Sequence, residues 1–287
     1  MIGAAVDVGS NSIHLLVARV TEAGLEPLVD VSELIGLGDV VDKRGLIPPE
    51  SSSALVKTLL RYRDLAHESG AESVTFLGTE PLRRAANAAD VAEAVFQETG
   101  LTLRILDEHE EGELTFLGVT RGLEVVYPLL VVDIGGGSTE VILFDPASGL
   151  QVFSLPTGSA RLSREVVEHD PPTKHEVARL RSAATDLMSM LPAGAPARAI
   201  FVGGTATNLV RLRPLATSGF EQLYGTLRAA PAARIAQRFK LRLRRAHQLC
   251  AGAALAEALL KNYQLARAEV TQASLRDGAI VAAARSG

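Results

Sequence analysis

The spacing of apolar and polar residues along the chain predicts strands and helices in alternation. Short apolar runs bounded by turn-forming residues predict strands, and apolar residues at helical intervals predict helices. The first part of the chain gives strands at 4–6, 13–20, 27–34, 73–77 and 102–105, and helices at 49–69, 88–97 and 108–120. Strands that alternate with helices are typical of an α/β fold.

A second block of the same kind begins at Leu129. Its predicted strands are 129–133, 139–144, 151–155, 199–202 and 269–271, and its predicted helices are 159–168, 174–191, 205–212 and 274–284. The residues between 213 and 268 are predicted to be mostly helical. We place the boundary between the halves near 122–128 and predict two domains: lobe I, 1–122 plus 274–287, and lobe II, 123–273.

The beginning of the first block is nearly repeated at the beginning of the second. Each copy is an apolar strand, an aspartate, a turn of Gly, Ser or Asn, and another apolar strand. Three residues of the turn recur 126 positions apart: Asp7 and Asp133, Gly9 and Gly135, Ser12 and Ser138. Two ordinary hairpins are the alternative, but a repeat in register with matching strands favours a shared role. We expect two similar lobes that face a cleft.

Turns of this composition are suited to binding phosphate. Glycine lets backbone N–H groups converge on an anion, and Ser or Thr hydroxyls add donors. The predicted phosphate-binding residues are Gly9, Ser10, Asn11, Ser12, Gly135, Gly136, Gly137, Ser138 and Thr139. An aspartate at the end of each strand would repel a phosphate. Asp7 and Asp133 therefore predict a bridging Mg²⁺ or Mn²⁺, since hard cations prefer carboxylate, water and phosphate oxygens.

These motifs resemble the actin/hexokinase/chaperone ATPase superfamily and, within it, the exopolyphosphatase/guanosine pentaphosphate phosphatase (Ppx/GppA) family. The resemblance covers nearly the whole chain. The segments that carry it are 7–12, 79–87, 110–118, 133–140, 155–162, 203–205 and 275–278. The resemblance implies an α/β fold of two ribonuclease H-like lobes of the actin/hexokinase type, with a cleft between them.

The resemblance also implies a general base and a phosphate clamp. It identifies Glu111 as the base that activates water, or Glu110 if the alignment is shifted by one residue. The alternative for both is a solvated acidic turn, because five acidic residues lie between 107 and 113. Arg83 is implied to grip phosphoryl oxygens, and an exposed surface arginine is its alternative.

On the same grounds, the metal ligands are expected at Asp133 and Glu140, with Asp7 contacting the ion through water. His14 occupies in the first copy the position that Glu140 occupies in the second. We therefore expect the second turn to carry the metal and the attacking water, and the first turn mainly to hold phosphate.

Composition and charge limit the partners. The chain has 287 residues, of which 47% are hydrophobic, and its net charge of −4 argues against a nucleic-acid partner. No stretch approaches the roughly 18 apolar residues of a membrane span, and residues 1–7 lack the basic region of a signal peptide. Cys250, the single cysteine, lies in an apolar run and is expected to be buried. We expect a cytoplasmic protein with no membrane partner, and a homodimer as its oligomeric form.

Basic residues are concentrated late in the chain, and no acid occurs from Gln222 to Ala256. If 234–245 is one helix, four arginines share a face: Arg234, Arg238, Arg242 and Arg245. Such a stripe would guide a polyanion, and a solvated helix face is the alternative. The dipeptide His169-Asp170, followed by prolines, predicts a helix end.

Four functions fit these features. The first is removal of the terminal phosphoryl group of inorganic polyphosphate. The second is removal of the γ-phosphate of guanosine pentaphosphate, which needs the same machinery, so guanosine penta- or tetraphosphate is the alternative ligand. The third is a sugar or acetate kinase, for which 203–205 would serve as a nucleotide-binding turn. The fourth is a non-catalytic sensor, which the catalytic-type acids Glu111, Asp133 and Glu140 disfavour.

Overall fold

The computed structural model describes residues 1–121 and 123–286. The chain forms two compact units, unit 1 (Met1–Glu124 with Ala273–Gly287) and unit 2 (Val125–Gln272). The sequence predicts the corresponding boundaries after 122 and after 273. Gly122, the first residue of the predicted boundary segment 122–128, and Gly287 lie outside the described residues.

Ten strands are assigned in the described part of the chain. In unit 1 they are β1 (Ile2–Val8), β2 (Ser12–Thr21), β3 (Gly24–Leu34), β4 (Ser73–Gly78) and β5 (Leu103–Ile105). In unit 2 they are β6 (Leu129–Ile134), β7 (Thr139–Asp145), β8 (Gly149–Leu155), β9 (Arg198–Val202) and β10 (Glu269–Val270).

Twelve α-helices accompany these strands over the same described residues. The first five follow strands of unit 1: α1 (Leu37–Arg44), α2 (Pro49–Glu68), α3 (Glu80–Arg84), α4 (Ala88–Thr99) and α5 (Glu108–Thr120). The next six belong to unit 2: α6 (Ser159–Val166), α7 (Lys174–Leu187), α8 (Gly203–Leu212), α9 (Phe220–Arg228), α10 (Ala232–Phe239) and α11 (Leu243–Asn262). The last helix, α12 (Leu275–Ser286), returns to unit 1.

Each unit contains one five-stranded sheet, and the two sheets have the same strand order. Unit 1 has the order β3-β2-β1-β4-β5, and unit 2, taken from the opposite edge, has the order β8-β7-β6-β9-β10. In both sheets the first three strands are antiparallel hairpins and the last two are parallel to the first strand. The internal repeat therefore extends from the turn motif to the topology of the whole sheet.

The sheet of unit 1 is covered on both faces. One face packs Val6, Ile13 and Leu15 against the buried side chains of α2 and α4. The other face packs Ala5 and Leu16 with residues of α5 and α12. Because side chains alternate along a strand, Asp7 and His14 lie on this second face, two positions from Ala5 and Leu16.

Two glycines allow α5 and α12 to approach each other closely. A Cβ added to Gly278 would collide with the carbonyl oxygen of Leu114, and a Cβ added to Gly118 would collide with that of Ser274. Both positions therefore require glycine for a steric reason, since the backbone of one helix fills the space of the other's side chain. This contact holds α5, whose first turn carries Glu111, against α12.

The described structure also corrects several predicted elements. Two short helices, α1 and α3, were not predicted, because eight and five residues are too few to show a helical period. Helix α7 ends at Leu187, four residues before the predicted end, and a 3₁₀ turn follows at Met188–Met190. Strand β3 begins at Gly24, three residues before its predicted start.

Candidate active site

The first turn, between β1 and β2, is closed by one backbone hydrogen bond. The N–H of Gly9 donates to the carbonyl oxygen of Ser12 at 3.1 Å. At the ends of the two strands Asp7 pairs with His14 across the hairpin. The Ser12 hydroxyl lies 2.7 Å from Nε2 of His14. This places an aspartate, an imidazole and a hydroxyl together at the mouth of the turn.

Segments of unit 1 that are distant in sequence hold the first turn in place. The Ser10 hydroxyl donates to Oε2 of Glu80 at 2.6 Å, and the Ser10 carbonyl accepts from the N–H of Gly38 at 2.9 Å. The Asn11 carbonyl accepts from the N–H groups of Ile35 and Gly36. The Ser10 hydroxyl therefore donates a hydrogen bond to a buried carboxylate. The backbone N–H of Ser10 is then the donor that this residue can offer to a phosphate.

Glu80 is a residue of this site that the sequence did not single out. It is buried at the first position of α3 and also accepts from Nη1 of Arg84 at 2.7 Å. Arg84 in turn donates to Asp42 at 2.5 Å. The signal available in the sequence was an acid directly before the Pro81–Arg83 segment, but a lone acid at a helix start usually serves only to complement the helix dipole.

Arg83 and Glu111, the predicted clamp and base, are in direct contact. Nη1 of Arg83 donates to Oε2 of Glu111 at 2.6 Å and to the carbonyl oxygen of Leu106 at 3.0 Å. Both side chains are largely buried, with 17% and 12% of their surface exposed. A carboxylate and a guanidinium at this distance form a charge-assisted hydrogen bond, about twice as strong as a neutral one.

Glu110, the alternative base, has a structural role at the beginning of α5. The Asp107 side chain accepts from the N–H of Glu110 at 2.8 Å, and the Glu110 carboxylate accepts from the N–H of Asp107 at 3.0 Å. This capping box satisfies two donors at the helix end. Arg104 also donates to Glu110, and these hydrogen bonds lower the pKa of Glu110 below its usual value. Glu110 thus caps the helix, whereas its neighbour Glu111 contacts Arg83.

The second turn, between β6 and β7, closes in the same way as the first. The N–H of Gly135 donates to the carbonyl oxygen of Ser138 at 3.0 Å. The carbonyl oxygens of Gly135 and Gly136 accept from the first N–H groups of α6, at Ser159, Ala160 and Arg161. Within the described residues, the N–H groups of Gly136 and Gly137 donate to no acceptor, so these two donors are available to an anion.

Thr157 and Gly158, directly before α6, pack against the second turn. The Thr139 hydroxyl donates to the carbonyl oxygen of Thr157 at 2.8 Å. The hydroxyl of Thr157 is buried and has no hydrogen-bond partner among the described residues. Gly158 touches the turn so closely that a Cβ there would lie 2.5 Å from the Gly135 oxygen and 2.7 Å from the Ser138 oxygen. This segment was noted in the sequence only as a family motif.

Asp133 and Glu140 form the carboxylate pair of the second hairpin. They are directly opposite each other in the β6–β7 register, and Glu140 is only 2% exposed. The Ser154 hydroxyl donates to Glu140 at 3.3 Å. No group of three or more His, Cys, Asp or Glu side chains positioned for a metal is found among the residues that the structure describes. Two carboxylates nevertheless fit Mg²⁺, which commonly uses one or two of them and completes its shell with water and substrate phosphate.

Asp133 is bordered by the turn that begins α8 and by Arg245 of α11. A Cβ on Gly203, whose φ is +77°, would collide with the Asp133 carboxylate, and a Cβ on Gly204 would lie 2.7 Å from the Arg245 guanidinium. Burial lowers the pKa of Arg245, and Arg244 lowers it further, while Asp133 acts in the opposite direction. The sequence grouped Arg245 with a surface stripe, and the structure places it beside a predicted metal ligand.

The basic stripe itself is not one helix. Helix α10 ends at Phe239, Lys240 adopts a left-handed backbone with φ of +54°, and α11 begins at Leu243. The N–H of Leu241 donates back to Ala236, as in a Schellman-type helix end. The condition for a four-arginine face over 234–245 is therefore not met.

Two further predictions from the sequence concern structural residues. Cys250 is buried, and burial raises its pKa to about 12. His169 and Asp170 lie in the connection after α6, which ends two residues earlier than predicted, at Val166. His169 contacts Glu176 at 3.0 Å, and Asp170 accepts from the N–H of Ala232 at 2.7 Å. Both residues thus join helices of unit 2.

None of the helices in the described residues is long and apolar enough to cross a membrane.

Comparison with known proteins identifies close relatives of the chain. The model of the Ppx/GppA phosphatase family matches residues 16–286. Exopolyphosphatase 1 of Mycobacterium tuberculosis is 32% identical over 96% of this chain and 86% of its own length, and that of Mycobacterium leprae is 31% identical over 96% and 87%. The crystal structure of the Ppx/GppA family member from Aquifex aeolicus is 27% identical, with a TM-score of 0.86 over 100% of this chain and 98% of that one. The predicted resemblance and the predicted α/β fold class are confirmed.

Proposed function

The chain belongs to the Ppx/GppA phosphatase family, and we propose that it is a Mg²⁺-dependent exopolyphosphatase, a phosphoric anhydride hydrolase that removes the terminal phosphoryl group of inorganic polyphosphate. The named exopolyphosphatases that share about a third of its sequence support this substrate. The observation that carries the proposal is the contact between Glu111 and Arg83, which brings a proton acceptor and a ligand for phosphoryl oxygens together.

In the proposed reaction a water oxygen attacks the terminal phosphorus. Glu111 takes a proton from that water, a new P–O bond forms, and the bridging P–O bond to the rest of the chain breaks. The shortened chain leaves with the electron pair of that bond. Arg83 binds phosphoryl oxygens as charge is redistributed in the transition state. In unit 2, the backbone N–H groups of Gly136 and Gly137 are the proposed phosphate donors.

Asp133 and Glu140 would hold the Mg²⁺ ion. When bound, the ion neutralises charge on the phosphate oxygens. In the first turn, the backbone N–H of Ser10 and the hydroxyl of Ser12 are the proposed phosphate donors. Cys250, a lone buried thiol, is compatible with the proposed cytoplasmic location.

The alternative function is hydrolysis of guanosine pentaphosphate to the tetraphosphate. The family resemblance of the sequence implies this activity as well, and the bond that breaks is a phosphoric anhydride in both substrates. The residues above act on the terminal phosphoryl group and are the same for either one. A non-catalytic regulator that binds polyphosphate or guanosine penta- and tetraphosphate is the third candidate, and it needs no general base.

The test is phosphate release from polyphosphates of defined length, from guanosine pentaphosphate and from ATP, each with and without Mg²⁺. We expect release from polyphosphate that stops when Mg²⁺ is chelated. Glu111→Gln should lower kcat by roughly 10²- to 10⁴-fold, because the proton acceptor is lost. Glu113→Gln is the matched control, since Glu113 is exposed on the same helix and pairs with His109 rather than Arg83.

Each contrary outcome identifies a different error. Full activity of Glu111→Gln would exclude Glu111 as the base. Faster turnover of guanosine pentaphosphate than of any polyphosphate would favour the alternative substrate. Binding of polyphosphate without release of phosphate would favour the regulator.

A further inference from the structure

The contact between Arg83 and Glu111 poses a problem for the roles proposed for the two residues. Nη1 of Arg83 donates to Oε2 of Glu111 at 2.6 Å and to the carbonyl oxygen of Leu106 at 3.0 Å. The negative charge of Glu111 therefore lies against the positive charge that is meant to bind phosphate. The same hydrogen bond stabilises the ionised carboxylate and opposes its taking up a proton.

The neighbouring arginines contact other carboxylates. Arg84 donates to Glu80 and Asp42, and Arg104 donates to Glu110, so the adjacent guanidinium groups have carboxylates of their own. Arg83 and Glu111 are also largely buried, which makes their mutual attraction stronger than at an exposed site.

The surroundings allow the guanidinium to change one partner while keeping the other. Leu106 lies two residues before α5, and its own N–H donates to the carbonyl oxygen of Gly78 at 2.9 Å, which ties it to the end of β4. The Leu106 carbonyl that accepts the second hydrogen bond from Arg83 carries no charge. It can hold the arginine side chain in place while the charged bond to Glu111 is replaced by a bond to a phosphoryl oxygen.

We propose that Glu111 and the terminal phosphoryl group compete for Arg83, so that substrate binding transfers the guanidinium from the carboxylate to phosphate and releases Glu111 to accept the proton of the attacking water. This inference rests on the proposed function. Arg83 acts on the proton transfer through Glu111 and is in that respect a positioning residue. The exchange couples the availability of the base to the presence of phosphate, and it lowers the affinity for phosphate by the strength of the bond that must be given up.

The test is equilibrium binding of inorganic phosphate, which none of the variants can turn over, measured by calorimetry on the full chain. Glu111→Gln should bind phosphate about tenfold more tightly than the wild type, because the Glu111 carboxylate no longer competes for Arg83. Arg83→Gln should bind about tenfold more weakly. The double variant Glu111→Gln/Arg83→Gln should bind as weakly as Arg83→Gln alone, since the gain requires the guanidinium.

Glu113→Gln is the control for overall charge, because it removes one negative charge from the same helix without touching Arg83. If it tightens phosphate binding as much as Glu111→Gln, the effect is long-range electrostatics and the exchange is wrong. Unchanged or weaker binding by Glu111→Gln, or a gain that persists in the double variant, also overturns the exchange. If Arg83→Gln does not fold by circular dichroism, Arg83→Lys replaces it and should keep only part of the gain.

A second readout distinguishes the exchange from a purely structural ion pair. Arg83→Lys keeps the charge but loses the planar donors, so it should raise KM and also lower kcat, whereas a structural pair would change the unfolding midpoint and leave the ratio of the two constants unaffected. The proposed function fails separately, if the wild type releases no phosphate from any polyphosphate. The binding comparison can be made in either case.

Discussion

The two phosphate turns have the same frame and different surroundings. Each is an antiparallel hairpin closed by one N–H to carbonyl bond, from Gly9 to Ser12 and from Gly135 to Ser138. The first turn is attached by its hydroxyl and carbonyl groups to segments around α1 and α3. The second turn is attached by its carbonyl groups to the start of α6, which leaves backbone N–H groups available. A repeated motif therefore specifies the hairpin, and its neighbours determine which donors reach a phosphate.

The hairpins also differ in the residue that faces the aspartate. In unit 1 Asp7 is paired with His14, whose ring nitrogen is hydrogen-bonded to the Ser12 hydroxyl. In unit 2 Asp133 is paired with Glu140, which accepts from Ser154. An imidazole suits a hydroxyl and an anion, whereas two carboxylates suit a hard cation. The difference supports our proposal that metal binding belongs to unit 2.

The largest expected difference is between Glu140→Gln and His14→Gln. Loss of the Glu140 charge should lower kcat by about 10²- to 10³-fold and raise the Mg²⁺ concentration needed for half-maximal rate, because the proposed ion loses a ligand. His14→Gln should lower kcat by less than about tenfold and leave the Mg²⁺ dependence in place. Steady-state rates over a Mg²⁺ titration measure both. Equal losses with an equal change in Mg²⁺ dependence would remove the proposed division of roles.

A smaller difference is expected between Gly158→Ala and Gly9→Ala. The added methyl group at 158 would overlap the backbone of the second turn and should destabilise the protein by about 3 kcal/mol. At Gly9 the nearest atom, the Ser12 oxygen, is 3.4 Å from the added carbon, an ordinary contact. The cost there should stay below about 1 kcal/mol. Urea unfolding of both variants tests this, and similar costs would show that the two turns are packed alike.

The smallest difference is expected between the serines Ser10 and Ser138. Ser10→Ala removes the hydrogen bond to buried Glu80 and should cost about 1–2 kcal/mol of stability with little change in KM. Ser138→Ala should change stability by less than about 0.5 kcal/mol, because its hydroxyl has no hydrogen-bond partner in the described residues. It should instead raise KM for polyphosphate several-fold. Unfolding and steady-state measurements on both variants are needed, and the reverse pattern would exchange the roles of the two hydroxyls.

The two sheets and the two turns could be predicted from local sequence. The predicted helix 108–120 matches α5 at both ends. The spacing of apolar residues located most strands to within a few residues, because local spacing decides which face of an element is buried. The repeat located both turns, because Gly and Asp at fixed offsets constrain a short stretch of backbone. Elements without a period, such as the five residues of α3, gave no such signal.

The partners of the polar side chains could not be predicted in this way, because they come from distant parts of the sequence. Ser10 meets Glu80 across 70 positions of sequence, and Arg83 meets Glu111 across 28. The neighbouring residues Glu110 and Glu111 are chemically the same. Because they lie on different sides of α5, Glu110 caps the helix and Glu111 contacts Arg83. Such pairings depend on how sheets and helices pack, and packing is set by the whole chain rather than by the residues next to the site.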